Sequence, residues 1–266
     1  MMMQTRALVT GASSGIGLAL AKVCAQKGHD LVLVARSANK LEALAQELRL
    51  RYGVAVEVLP QDLAQPQAAQ QVFDQLRDKN LPIGLLINNA GLGSHGKFLE
   101  NDPARLQEAM QVNMVALTEL TQLFGREMVA RRQGRIMQIA SVASFMPSPY
   151  LAVYAATKAY VLSFSEAVAE EWRNTGVSIT TVCPGVTQTN FMEGAGLAEE
   201  NVQKFGTFWM QTAEEVAQSA YTATQAGKRV HITGLLNTLS VNSMSLVPRA
   251  VRVPATGFLL SLFGNK

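Results

Sequence analysis

Tyr154 and Lys158 stand four positions apart in a segment with helical apolar spacing. Residues at i and i+4 share a helix face, so both side chains reach one site. A free tyrosine ionises near pH 10 and is a poor acid or base at neutrality. An ammonium fixed about 5 Å away, at an effective dielectric of about 20, favours the phenolate by roughly 3 kcal/mol. That is about two pKa units, enough to make Tyr154 a donor and acceptor of protons. Ser141 directly follows the β-rich run Ile136–Ala140. It therefore sits at the carboxyl end of a strand, where parallel sheets bind ligands, and its hydroxyl is placed to hydrogen-bond a substrate oxygen. Asn113 lies within an otherwise apolar helix, where its amide needs a partner. Taken singly, each has an ordinary alternative: a turn serine, a core-satisfied asparagine, a Tyr-x-x-x-Lys spacing produced by chance.

A second constellation suits phosphate. Thr10-Gly11-Ala12-Ser13-Ser14-Gly15-Ile16-Gly17 joins the first strand to the first helix. Glycines allow a tight turn and close approach to a pyrophosphate, and the helix start offers N–H groups and partial positive charge. An NAD site usually carries an acid about 20 residues past such glycines to hold the ribose 2′-hydroxyl. Here Leu31–Ala35 ends without one and Arg36 follows. A guanidinium suits a 2′-phosphate, so the expected cofactor is NADP(H). Ser13 and Ser37 are further candidate contacts; an exposed arginine after a strand is the plainer alternative for Arg36.

These residues need a scaffold of alternating strands and helices. Strands are expected at Ala7–Val9, Leu31–Ala35, Val54–Leu59, Gly84–Ile87, Ile136–Ile139, Val177–Val182 and Arg229–Ile232. Helices are expected at Gly15–Lys27, Asn39–Arg51, Gln65–Asp78, Val153–Arg173 and Ala213–Ala226, with one long helix near Pro103–Arg131. Repeated strand–helix–strand units imply a parallel, doubly wound α/β sheet of Rossmann type with helices on both faces. Strand ends then gather Ser141, Asn88-Asn89-Ala90-Gly91 and the glycine turn on one side of the sheet.

At 266 residues, 48% hydrophobic and 16% charged, the chain suits one core-rich domain. The formal charge of +3 gives no reason to expect nucleic-acid binding. Cys24 and Cys183 fall in apolar segments; core packing is the first reading, with a disulfide or metal role as the alternative. No metal cluster or histidine-based triad emerges, and His29, His95 and His231 are given no chemical role. The segment at Met1–Thr5 runs into a strand pattern without a secretion signal, and no apolar run approaches the roughly 20 residues of a membrane span, so the expected location is cytoplasmic.

In order and spacing, Thr10-Gly11-x-x-x-Gly15-Ile16-Gly17, Asp62-Leu63, Asn88-Asn89-Ala90-Gly91, Asn113, Ser141, Tyr154-x-x-x-Lys158 and Pro184-Gly185 resemble the short-chain dehydrogenases/reductases over about residues 5–235. The resemblance implies a Rossmann fold with seven parallel strands and one active site per subunit. It implies Tyr154 as acid/base, Lys158 as the group that lowers its pKa and binds the nicotinamide ribose, and Ser141 as the group that polarises the carbonyl. It further implies that Asn113 holds a water linking Lys158 to solvent. Asp62 is expected at the adenine, with Leu63 beside it. Asn89, Ala90 and Gly91 are expected along the adenosine ribose, and Thr189 at the nicotinamide carboxamide. Thr187 departs from the Val or Ile more usual there, at a contact made mainly through backbone. The family usually forms homodimers or homotetramers through the helices carrying Asn113 and Tyr154.

Two regions lie outside the motifs. The substrate loop, residues 186–211, carries Phe191, Met192, Phe205, Phe208, Trp209 and Met210; Phe145, Met146 and Tyr150 follow Ser141. These residues suit a lipophilic pocket for a fatty acyl, steroid-like or aromatic ketone, or ordinary packing under a loop. Residues 1–240 are expected to form the catalytic domain and 241–266 a tail. The tail packs on the pocket or a subunit interface, with contact to a membrane surface as the less favoured alternative. The expected activity is NADP(H)-dependent interconversion of a carbonyl and a secondary alcohol. The alternatives are a broad-specificity small-alcohol dehydrogenase and a non-catalytic dinucleotide-sensing regulator.

Overall fold

The computed structural model describes residues 6–189, 210–245 and 247–261. The order along the chain is β1 (Arg6–Thr10), α1 (Gly15–Gln26), β2 (Leu31–Ala35), α2 (Ala38–Tyr52), β3 (Val56–Pro60), α3 (Ala68–Asp78) and β4 (Ile83–Asn88). There follow α4 (Pro103–Met110), α5 (Leu117–Ala130), β5 (Gly134–Ile139), α6 (Ala152–Glu171) and β6 (Val177–Cys183). The last elements are β7 (Thr187–Gln188), β8 (Gln211–Thr212), α7 (Ala213–Gln225), β9 (Val230–Ile232), α8 (Leu235–Ser245) and α9 (Arg249–Ser261).

Seven strands form one parallel sheet in the order β3-β2-β1-β4-β5-β6-β9. Its strands are apolar on both faces, as a sheet covered on both sides requires. Successive residues alternate between two cores. Ala7, Val9, Leu31 and Leu33 pack with Leu41 and Leu48 of α2 and Ala217 of α7. Leu8, Val32 and Val34 pack with Val72 of α3 and Leu120 and Phe124 of α5. β1 pairs with β2 on one side and β4 on the other, so the chain reverses its direction of winding there. A crevice opens at such a point beyond the strands' carboxyl ends, and the glycine turn lies in it.

The single helix expected near Pro103–Arg131 is divided. A π-helical stretch, Gln111–Ala116, separates α4 from α5. This wider turn interrupts the regular hydrogen-bond ladder where fully buried Asn113 turns inward. Past the last sheet strand, α8 spans the expected boundary at residue 240 and α9 folds back onto the domain. Thr256 Oγ1 donates to the carbonyl of Pro147 at 3.3 Å. Arg252 donates to that of Phe145 at 3.5 Å.

Candidate active site

The glycine turn is shaped by close contacts. Gly11 has φ +66°, and a Cβ there would stand 2.8 Å from Asn89 Nδ2. A Cβ on Gly17 would fall inside the carbonyl oxygen of Gly11. Asn89 Nδ2 donates to the carbonyls of Thr10 and Gly11 at 2.9 and 3.3 Å, and Thr10 Oγ1 accepts from the N–H groups of Asn89 and Ala90 at 3.0 Å. The Asn89 Nδ2 therefore braces the turn, which leaves its Oδ1 and backbone carbonyl for the expected ribose. No side chain caps α1 at Ser14 and its first turn carries no acid, so the helix start is open to an anion. Ser13 is half-buried and Ser14 exposed at this mouth. Ile16 packs toward the core. The cradle fits a pyrophosphate: glycines where side chains would collide, and free helix polarity beyond them.

Arg36 follows β2 and is exposed, its Nη1 3.2 Å from Glu108 Oε1 of α4. The end of β2 is thus not free of acid in space, as it is in sequence. Asp62, beyond β3, accepts from the Ala64 N–H at 3.1 Å, and Leu63 is buried in the core, which leaves only its backbone for a ligand. Pro184 is buried after β6. Gly185 is required by Asn237 of α8, whose amide occupies the space of a Cβ. Thr187 is buried and donates to the Gly185 carbonyl at 3.1 Å. Thr189 lies beside Gly15, where a Cβ would stand 3.1 Å from its Cγ2.

The catalytic candidates converge at the ends of β4, β5 and α6. Ser141 hydrogen-bonds the Tyr154 hydroxyl. Its Oγ also accepts from the Ala143 N–H at 3.1 Å. Lys158 is buried and its Nζ donates to the Ile139 carbonyl at 2.8 Å. Gly91 sits over this group: a Cβ there would be 3.3 Å from both Lys158 Nζ and Asn113 Oδ1. Asn113 binds the Leu92 backbone twice, accepting from its N–H at 2.8 Å and donating to its carbonyl at 2.9 Å. It also donates to Thr157 Oγ1 at 3.0 Å, so its side chain fastens the loop after β4 to α6.

Burial pushes the Tyr154 hydroxyl up to about 12, partly opposed by the Ser141 hydrogen bond. Burial draws Lys158 down to about 8. The lowering of Tyr154 expected from a lysine four residues away is not seen: burial raises it, and the opposing effect comes from the Ser141 hydrogen bond. Tyr154 is accordingly a protonated acid at neutral pH. Cys183 adjoins the group, its thiol held neutral by burial at about 12. Both cysteines are free and buried.

The sequence reading missed several members. Thr157 was visible only as Tyr154's neighbour at i+3, and Glu108 only through the fold. His95, given no role, lies 6.2 Å from Tyr150 between ring centroids, with a buried Nε2 that has no hydrogen-bond partner in the protein. Of the expected pocket wall, Phe145, Met146, Tyr150 and Met210 are half-buried near this mouth or at the loop's end. Phe191, Met192, Phe205, Phe208 and Trp209 lie outside the described residues.

Residues 5–200 match the short chain dehydrogenase family model. A very-long-chain 3-oxoacyl-CoA reductase of Podospora anserina is 38% identical over 184 residues, covering 67% of this chain and 53% of that protein. Human 17-beta-hydroxysteroid dehydrogenase type 3 is 34% identical over 188 residues, covering 69% of this chain and 59% of its own. The chain spans about half the length of the curated relatives it matches. Among solved structures, a short-chain dehydrogenase from Sphingobium yanoikuyae in complex with NADPH superposes with TM-score 0.80 at 34% identity, covering 92% of this chain and 97% of that one.

Proposed function

The chain belongs to the short-chain dehydrogenase family, and from that premise we propose that it is an NADP(H)-dependent oxidoreductase that reduces a lipophilic 3-oxoacyl or steroid-like ketone to a secondary alcohol. The observation that carries this is the convergence of Tyr154, Ser141 and Lys158 beside an open glycine cradle. NADPH in the Sphingobium yanoikuyae structure, and the 3-oxoacyl and hydroxysteroid chemistry in the relatives' names, support the cofactor and the substrate class.

The residues divide the work. Gly11, Ser13, Ser14, Gly15, Ile16 and Gly17 would hold the pyrophosphate, and Arg36 the 2′-phosphate, by leaving Glu108 or sharing it. Asp62 and the Leu63 backbone would meet the adenine, and Ala90 and Gly91 the adenosine ribose. Lys158 would meet the nicotinamide ribose, with Thr187 and Thr189 beyond it. When bound, the dinucleotide supplies the hydride that the protein lacks. Ser141 Oγ–H orients the carbonyl oxygen, and Tyr154 gives its hydroxyl proton to that oxygen as negative charge develops there. The raised Tyr154 pKa keeps that proton in place at neutral pH, which suits reduction. Asn113 holds the loop from Gly91 in register over Lys158. The unpartnered His95 Nε2 supports a second polar group on the substrate near Tyr150.

The outer surface of α5 and α6 supports a homodimer or homotetramer: Tyr160 stacks on Phe164 at 5.6 Å and is partly exposed. A cytoplasmic setting belongs to this same reading. Among the described residues no helix is long and apolar enough to cross a membrane. NADPH oxidation against carbonyls of graded apolar length tests the activity.

A further inference from the structure

A helix on a protein surface usually turns charged side chains to water. α2 does so, with Lys40, Glu42, Glu47 and Arg49 along it. The last two helices do not. The exposed positions of α8 carry no charged side chain, and those of α9 carry none past Arg249. Large apolar side chains stand out instead: Leu235 and Leu239, one turn apart on α8, are 75% and 56% exposed. Val251 and Phe258, two turns apart on α9, are 58% and 71% exposed.

Charge is distributed to one sign. From residue 234 to 266 the sequence holds Arg249, Arg252 and Lys266 and no Asp or Glu. Arg252 turns inward to the carbonyls of Val247 and Phe145, and Arg249 remains at the start of the apolar face. The exposed apolar sides of α8 and α9, with Arg249 at the start of α9 and no acid on either helix, complement a surface that is apolar within and anionic at its edge. We propose that α8 and α9 form a peripheral docking face for an anionic lipid bilayer, with Leu235, Leu239, Val251 and Phe258 seated at the headgroup boundary.

The position of the face gives it a use. α9 is fastened to residues 145–149, directly after Ser141, by the Arg252 and Thr256 bonds and by Gly257 against Pro149. Docking therefore sets the wall of the active site beside lipid. On the reading of the substrate given above, on which this use rests, a lipophilic carbonyl reaches the site from the bilayer.

The test is flotation of the full chain with phosphatidylcholine vesicles, with and without phosphatidylglycerol, in the absence of any substrate. The expected result is binding to the anionic vesicles that weakens as salt rises. Leu239→Glu and Phe258→Glu, both at exposed positions, each reduce binding about tenfold or more. They leave the thermal melt and turnover of a water-soluble ketone unchanged. Absence of binding to both vesicles, or undiminished binding of both variants, overturns the proposal. So does a wild-type dimer in size-exclusion chromatography that Phe258→Glu splits, because the face then belongs to a second copy. Vesicle binding with no reduction of any carbonyl leaves the docking face standing and removes the activity proposed above.

Discussion

Lys158 donates its ammonium to the Ile139 carbonyl at 2.8 Å and stands 5.8 Å from the centroid of the Tyr154 ring. The lysine is thereby fixed to the end of β5 before any ligand arrives, and burial sets the acidities of both residues. Tyr154 waits as an acid, near 12, while Lys158, near 8, is poised to lose its charge in mild alkali. On the function proposed above, Tyr154 would deliver the proton and Lys158 would hold the cofactor.

The depressed lysine gives a pH dependence with a definite sign. Lys158 is charged below its folded value of about 8 and neutral above it. NADPH affinity should therefore fall as pH rises through about 8, by about tenfold if one charge-assisted hydrogen bond is lost. Lys158→Arg keeps its charge and should show no such fall. Fluorescence titration of NADPH across this range checks it; identical profiles for both proteins contradict the assignment.

Removing the Tyr154 hydroxyl isolates the proton step. Tyr154→Phe should lower kcat by about 10²–10⁴-fold, the usual contribution of a positioned acid. NADPH binding should stay within a factor of about 2, because the ring remains in place. Steady-state kinetics beside a binding titration separates the two effects, and retained turnover would remove Tyr154 as the acid.

Arg36 and Glu108 form an exposed pair, 3.2 Å apart, at the expected 2′-phosphate site. Arg36→Asp should weaken NADPH about tenfold or more and NADH far less. Glu108→Gln should strengthen NADPH by a factor of up to about 5, since an exposed pair holds the guanidinium by at most about 1 kcal/mol. Equal losses for the two cofactors in the first variant would show that Arg36 does not read the phosphate.

The turn can be tested by one methyl group. In Gly17→Ala the added Cβ meets the Gly11 carbonyl and Asn89 Nδ2, neither of which can withdraw without undoing the brace from Asn89. A loss of about 1–3 kcal/mol in stability is expected, together with loss of NADPH binding. Thermal denaturation and cofactor titration report the two separately; an unchanged protein in both would mean that the turn is looser than its contacts imply.

Much of this architecture was legible in the residues. Leu31–Ala35 reads as a buried parallel strand because both its faces are apolar, and both do meet a core. Ser141 and the glycine turn are legible because strand ends in such a sheet share one side. The π-helical turn at Gln111–Ala116 is not: it coincides with a tertiary pairing of Asn113 with Leu92, 21 positions away, which local sequence does not report. Glu108 escapes for a similar reason: 72 positions separate it from Arg36. The tyrosine's acidity is misjudged from spacing alone, since spacing reports the lysine's proximity and not the desolvation of both groups. α8 escapes because its small and apolar residues give little alternation of polar and apolar faces, and α9 because Pro254 stands inside it.

Carbonyl reduction with NADPH on a lipophilic substrate is tested by following nicotinamide absorbance for NADPH and for NADH against ketones, aldehydes and 3-oxoacyl thioesters of increasing chain length. Oxidation of NADPH over NADH is expected, with kcat/KM rising as the apolar chain lengthens. Tight NADPH binding without oxidation by any carbonyl, or a rate that falls with chain length, would contradict it.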